Sequence, residues 1–451
     1  MCVDEFCIDV LDKGKNVKSV FHLLVASCVF LLSSLTYAES DLAIEITQGI
    51  DEPTPVAVVP FSWNGSFALK EDIAKIVSAD LGRTGLFKMM NRENMLSFPT
   101  QQDQVYYRDW RVSKTEFLVI GRQIPAEGKQ IKVEFELYDV LKEKRLLAER
   151  VSGTQDNMRD IAHYISDMIY QKLTGIRGAF STRIVYVTAQ QFGEGKVNYR
   201  LKMADSDGAR PITIRQQSEP LMSPAWARDG SKLAYVSFES GKPAIYIQYL
   251  ATGKREKIQS FRGLNGAPAW SPDGNKLAIV LSKDGNPEVY ILDLRSRSLA
   301  RITHHYGIDT EPSWSPDGQS LIFTSDRGGQ PQIYRIHLPT RQLERVTYEG
   351  NYNSRGRLTQ DGRFLAMVHR GMDNVFHIAV QDLKTGRLDV LTDTYLDESP
   401  TIAPNGSIIL YATQKGVKGV LGGVTLDGSV RFILPAVSGD VREPAWSPYL
   451  Q

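Results

Sequence analysis

The chain has 451 residues, enough for two or more cores, and its 53 Lys and Arg are matched by 52 Asp and Glu. That balance leaves no basic excess to recruit nucleic acid. The three cysteines, Cys2, Cys7 and Cys28, lie near the N-terminus, so the body of the chain forms no disulfide or thiolate metal site and is held by packing.

Lys13, Lys15 and Lys18 precede an apolar run from Val20 to Leu35, then Thr36-Tyr37-Ala38 and the polar Glu39. A basic stretch, an apolar run shorter than the ~20 residues of a spanning helix, and small residues before a polar one read as a secretory signal over residues 1–38. Asp4, Glu5, Asp9 and Asp12 are foreign to such a leader. Residues 1–16 are therefore expected to be an upstream extension, with the natural start near Val17.

Residues 39–178 show mixed periodicities and are expected to form a small α/β domain behind a flexible segment, 39–50. Val56-Ala57-Val58-Val59 between Pro55 and Pro60, and Phe117-Leu118-Val119-Ile120-Gly121, read as buried strands. Ile73, Ile76, Val77 and Leu81 have helical spacing within 71–81. Ile131, Val133, Phe135 and Leu137 alternate as in a half-exposed strand, with 145–151 as its hairpin partner. Met158, Ile161, Ile165, Met168, Ile169 and Leu173 mark one face of a long helix that stops at Gly175.

Residues 179–451 are organised by a repeat. Asp229, Asp273, Asp317, Asp361 and Asn405 each open an Asp-Gly or Asn-Gly step, spaced by 44 (273 less 229). Ser-Pro-Asp-Gly at 271–274 recurs at 315–318, each copy behind a tryptophan. Short strands at a period in the forties predict a β-propeller with four strands per blade. Five units open near 223, 267, 311, 355 and 399; residues 184–214 supply strands without the opener, and 442–450 supply the opener alone. The C-terminal strand is thus expected to complete the first unit and close six blades, removing two open sheet edges. Trp226, Trp270, Trp314 and Trp446 share a repeat position with Leu358 and Ile402. A position that accepts Leu and Ile reads as core rather than a stacking platform, each Trp burying roughly 150–250 Å².

Chemistry is harder to find. No Gly-x-Ser-x-Gly elbow, His-Glu-x-x-His or phosphate loop occurs, so no catalytic, cofactor or metal residue is assigned. His304-His305 reads as an exposed loop, and the repeated aspartates as turn residues rather than calcium ligands. An enzyme would need a polar cluster in the channel, and a sugar-binding propeller would need rim aromatics, for which Tyr352 and Tyr395 are the candidates. Where the inner strands begin, Ser223, Ala267, Glu311, Arg355, Ser399 and Glu443 differ from blade to blade, as do Met222, Gly266, Thr310, Ser354, Glu398 and Arg442. Repeats that vary at one rim are what a binding surface produces; drift of exposed loops is the competing explanation.

Four stretches resemble the TolB family, the periplasmic component of the Tol–Pal system of Gram-negative bacteria. They are Ile44-Glu45-Ile46-Thr47-Gln48-Gly49, Pro55-Val56-Ala57-Val58-Val59-Pro60-Phe61, Asp80-Leu81-Gly82-Arg83-Thr84-Gly85-Leu86-Phe87 and the closing Pro444-Ala445-Trp446-Ser447-Pro448-Tyr449-Leu450. The likeness runs the length of the chain beyond the leader. It implies a non-enzymatic protein, without cofactors, whose propeller mouth binds the lipoprotein Pal and whose N-terminal segment is taken by TolA. Colicin translocation domains, outer-membrane integrity and cell division belong to the same expectation, with membrane contact only through partners. Carried over, the Pal contacts are Leu264, Asn265, Gly266, Ala267, Asp309, Thr310, Glu311, Asp397, Glu398, Ser399, Arg442 and Glu443. The TolA segment is Glu39, Ser40, Asp41, Leu42, Ala43, Ile44, Glu45, Ile46, Thr47, Gln48 and Gly49. Leu264 stands where relatives can carry histidine, a departure that removes or moves one polar contact.

Overall fold

The computed structural model describes residues 52–193, 195–435 and 438–450, and the backbone of 43–46. The expected leader lies outside the described residues.

The N-terminal domain is built on a mixed sheet. Thr54–Val58 runs parallel to Phe87–Met89 on one side and to Phe117–Pro125 on the other. Gln130–Asp139 and Lys144–Thr154 continue from Phe117–Pro125 as antiparallel neighbours. Helix α1, Ile73–Gly82, starts at Asp72, whose carboxylate accepts the Lys75 N–H at 3.1 Å. Helix α2 is Tyr107–Val112, and helix α3, Met158–Thr174, ends at Gly175 with φ of 77°, a left-handed stop that suits glycine. The apolar stripes of α1 and α3 cover one face of the sheet around Val56, Val77, Phe135 and Ile165. The other face is covered by the segment leading into α2, through Met95, Val105 and Trp110. The sequence reading anticipated the first layer and not the second, whose contacts are irregularly spaced.

The propeller has six four-stranded blades. Their inner strands are Asp440–Trp446 in the first blade, then Leu221–Trp226, Asn265–Trp270, Asp309–Trp314, Tyr352–Leu358 and Glu398–Ile402. Asp440–Trp446 pairs antiparallel with Arg183–Phe192, so the C-terminal strand does close the ring. The Asp-Gly turns work as the repeat predicts: the Oδ1 atoms of Asp273, Asp317 and Asp361 accept the N–H two residues on at 3.1, 2.9 and 3.1 Å. Hydrogen bonds from the hydroxyls of Ser271, Ser315 and Thr359 hold these carboxyls below their ordinary pKa.

The tryptophans also stitch blades together. The indole N–H of Trp226, Trp270 and Trp314 donates to the carbonyl of Ala445, Ala225 and Ala269 in the preceding blade, at 3.0, 3.2 and 3.0 Å. Leu358 and Ile402 fill the space without that bond.

The N-terminal domain docks through a buried ion network on the turn side of the first blade. His163 on α3 lies 2.7 Å from the Asp80 carboxylate on α1, and Arg83 reaches Asp80 at 3.0 Å and the Ser206 hydroxyl at 3.1 Å. Arg159 pairs with Asp205 and Asp207, and Arg210 with Asp160 and Asp205. Burial pushes the Asp207 carboxyl up, but His163, Arg83 and Arg159 outweigh it and hold it below the ordinary range.

Candidate functional site

Each inner strand carries a left-handed bulge on the side opposite the Pro-Asp-Gly turns. Ser223, Ala267, Glu311, Arg355, Ser399 and Glu443 have φ between 45° and 57°. Met222 pairs with Val236 and Ala225 with Ala234, so Ser223 and Pro224 together face one residue. The other five inner strands shift register at the same place. Proline cannot donate to a ladder, and a bulge is where a strand tolerates it. Left-handed backbone costs a non-glycine residue on the order of 1 kcal/mol. In return, all six side chains line one cavity of about 490 Å³, the central channel.

The ring is electrically lopsided. Ser223 and Ala267 form a small, uncharged half. Opposite them the Arg355 guanidinium lies 2.7 Å from Glu311 and 3.8 Å from Glu443, and it donates to the Ser399 hydroxyl. Burial works against the Arg355 charge, but Glu311, Glu443 and Glu398 outweigh it and hold its pKa above the usual range. Glu443 accepts the Ser223 N–H. Burial raises the Glu443 carboxyl despite the opposing pull of Arg355. The folded chain therefore holds that proton more tightly than the unfolded chain, and ionising Glu443 subtracts stability as pH rises through the ordinary value of about 4.3. Glu443→Gln is expected to raise Tm near neutral pH, with the gain vanishing towards about pH 4. Thermal melts across that range check the sign; a pH-independent difference would mean that the charge is not the cause.

Around this ring stand exposed apolar side chains on the mouth-facing loops: Met222, Leu264, Tyr306, Ile308, Tyr348, Met372, Tyr395 and Leu396. Of the two rim aromatics expected from the sequence, Tyr395 is exposed, whereas Tyr352 is half-buried with its ring edge-on to Phe376 at 5.2 Å. Tyr306 and Tyr348 were missed because they follow the short outer strands Leu299–Arg301 and Leu343–Arg345, whose ends carry little pattern.

The mouth residues named from the resemblance fall into two groups. Leu264 and Arg442 are exposed, and Ala267, Thr310, Glu311, Glu398 and Glu443 are half-buried at the rim; Gly266 and Ser399 are buried. Asn265, Asp309 and Asp397 are fully buried and share one repeat position. The Asn265 amide donates to the Phe261 carbonyl at 2.8 Å, Arg327 donates to Asp309 at 2.6 Å, and the Thr394 hydroxyl donates to Asp397 at 2.7 Å. These three side chains are committed to holding the mouth loops. In the N-terminal segment, Ala43–Ile46 adds a fifth strand to the sixth blade, antiparallel to Val430–Ile433. Glu39–Leu42 and Thr47–Gly49 lie outside the described residues.

Comparison with known proteins fits both halves. Residues 170–450 match the family model for the TolB beta propeller domain, and residues 42–146 that for the TolB amino-terminal domain. The chain belongs to the TolB family. It is 56% identical over 430 residues to the Tol-Pal system protein TolB of Pseudomonas syringae pv. tomato, covering 95% of this chain and 98% of that one. The same-named protein of Pseudomonas aeruginosa is 55% identical over 430 residues, covering 95% and 99%. The crystal structure of TolB from Acinetobacter baumannii superposes with a TM-score of 0.83 at 42% identity, over 91% of this chain and all of that one. Among the described residues no helix is long and apolar enough to cross a membrane.

Proposed function

We propose that this TolB-family chain is a non-enzymatic periplasmic interaction protein that binds Pal at the propeller mouth and TolA through its N-terminal segment. In that role it serves outer-membrane integrity and envelope constriction at division, and colicin translocation domains compete for its surfaces. The observation that carries the reading is the mouth: apolar side chains ring a charged, bulge-presented rim, the composition of a protein-binding patch. The loops beneath are pinned by buried Asn265, Asp309 and Asp397, so docking there loses little conformational entropy.

The tail and the mouth share a blade. Ala43–Ile46 pairs with the outer strand of the sheet whose inner strand carries Glu398 and Ser399. Eleven extended residues reach about 36 Å, enough for the segment to leave that edge and be captured. Pal at the mouth favours the docked tail, and its release favours a tail free for TolA. Such coupling is reciprocal, so deleting Glu39–Gly49 is expected to change Pal affinity. Calorimetric titration with the soluble domain of the host's Pal-like lipoprotein, with and without the segment, tests both parts. Affinity indifferent to the deletion would sink the coupling, and absence of binding would sink the tether and return attention to sugars.

A further inference from the structure

Below the mouth ring, the inner strands present a second layer to the channel: Ala225, Ala269, Ser313, Arg357, Thr401 and Ala445. Five of the six are small, and the exception is an arginine. The preceding position is also exceptional in that blade, for Gly356 replaces the proline found at 224, 268, 312, 400 and 444. Gly356 is not there for want of a special backbone angle. A Cβ on it would meet Leu365, Ile322 and Ile333 at 3.1–3.2 Å, so the strand packs closely behind the arginine that it sends into the channel.

The Arg357 guanidinium donates to the Gly356 carbonyl at 2.9 Å. Among the described residues no carboxylate lies within ion-pair distance of it. Glu311, the ring acid whose charge acts on it, is engaged by Arg355 at 2.7 Å. Burial pushes Arg357 below the ordinary arginine range, Glu311 opposes this and Arg355 adds to it. An ionised guanidinium in that position is short of counter-charge.

Its neighbours in the layer are hydroxyls. Ser313 belongs to the preceding blade and Thr401 to the following one, while the far side of the layer is alanine. Thr401 accepts the Trp446 N–H at 3.0 Å, which leaves its own O–H to donate. The turn-side end of the channel is bridged across opposite blades, where Arg228 donates to Gln360 at 3.0 Å. A forked cation between two hydroxyl donors, in a cavity crossed at one end by a second arginine, is complementary to a small tetrahedral or planar oxyanion.

We propose that the channel binds one small oxyanion at Arg357, assisted by Ser313 and Thr401. The chemistry is that of sulfate, phosphate or a carboxylate, supplied either as a free ion or by an acidic side chain of a partner docked at the mouth. The site does not rest on the mouth reading, because it is tested on the chain alone. Sodium sulfate is titrated calorimetrically into the full chain, with chloride at matched ionic strength as the reference. One saturable site is expected, with affinity lost at least about tenfold in Arg357→Ala, since a charge-assisted bond contributes about 1.5–3 kcal/mol. Alanine already occupies this position in three blades, so the variant is expected to fold. Should it not, Arg357→Lys keeps the charge without the fork and is expected to lose part of the affinity. Crystals soaked in selenate are expected to show their anomalous peak beside Arg357. No saturable binding, binding unchanged in both variants, or a selenate peak away from Arg357 would overturn the proposal. A Pal-like domain that expels sulfate assigns the site to a partner carboxylate, and one that leaves it bound assigns it to a free ion.

Discussion

Arg83→Met is expected to destabilise the protein by about 3–5 kcal/mol, the usual result of removing one member of a buried ion pair. Arg83 and Asp80 are 2% and 1% exposed, and the guanidinium bridges α1 to the Ser206 hydroxyl of the propeller while lying over the Phe180 ring at 5.2 Å. After substitution Asp80 keeps His163 and the Ser166 hydroxyl on one oxygen, and its other oxygen loses its cation. Met fills the space but supplies no charge. The loss falls on the seam between domains, so a separate, earlier unfolding transition of residues 52–174 is expected in thermal and urea melts. The double variant Asp80→Asn with Arg83→Met is expected to recover part of the loss, because no unpaired charge remains.

The same network fixes a pH dependence. Burial pushes Asp160 and Asp207 up, but arginines (with His163 beside Asp207) outweigh it and hold both below the ordinary range. Their contribution is fully present above the unfolded value of about 3.9 and is lost as pH falls through the lower folded values. Arg83 acts on Asp207 and not on Asp160, so the gap between native and Arg83→Met is expected to narrow in acid through Asp207. A variant that melts as the native chain does, in one transition at every pH, would show that the seam does not depend on this pair.

What was legible in the sequence follows from what is periodic. The 44-residue step exposed the blades, and the lone opener at Pro444-Ala445-Trp446 exposed the closure, because each blade repeats one local solution to turn and core. Both long helices of the N-terminal domain were read within two residues, since their apolar stripes have a clean period. The bulges were legible in principle: a proline at the same place in five inner strands argues against an unbroken ladder. Their consequence, a ring of side chains carried on left-handed backbone, needs the register. The ion network was not legible. Asp80 meets His163, and Arg83 meets Ser206, across 83 and 123 residues, and no local pattern records such a meeting. Arg357 was visible as a break in the repeat, but its meaning depends on Ser313 and Thr401 standing on either side.

At the mouth, Arg355→Met is expected to act on stability and binding together. Arg355 is the cation between Glu311 and Glu443, and it is 30% exposed against 21% and 12% for the acids. The channel admits water, so the stability cost is expected to be about 1–3 kcal/mol, less than at Arg83. With pH it runs in the same direction as the seam, larger near neutral pH and narrowing in acid, through a different carboxyl. Glu443 is already raised by burial, and Arg355 is the group that pulls it down; without that cation the carboxyl holds its proton still more tightly. The deficit therefore opens as pH climbs above the ordinary value of about 4.3 and closes below it, where the Glu443 carboxyl is neutral in either state. Partner affinity is expected to fall about tenfold or more, since truncating one member of a buried charge pair at an interface costs on the order of 2 kcal/mol. Melts from about pH 4 to 8, paired with titration against the Pal-like domain, separate the two effects. A deficit that does not grow with pH would remove Glu443 from the account, and unchanged affinity would place the contact on the apolar rim of Leu264, Tyr306 and Tyr395 rather than on the charged ring.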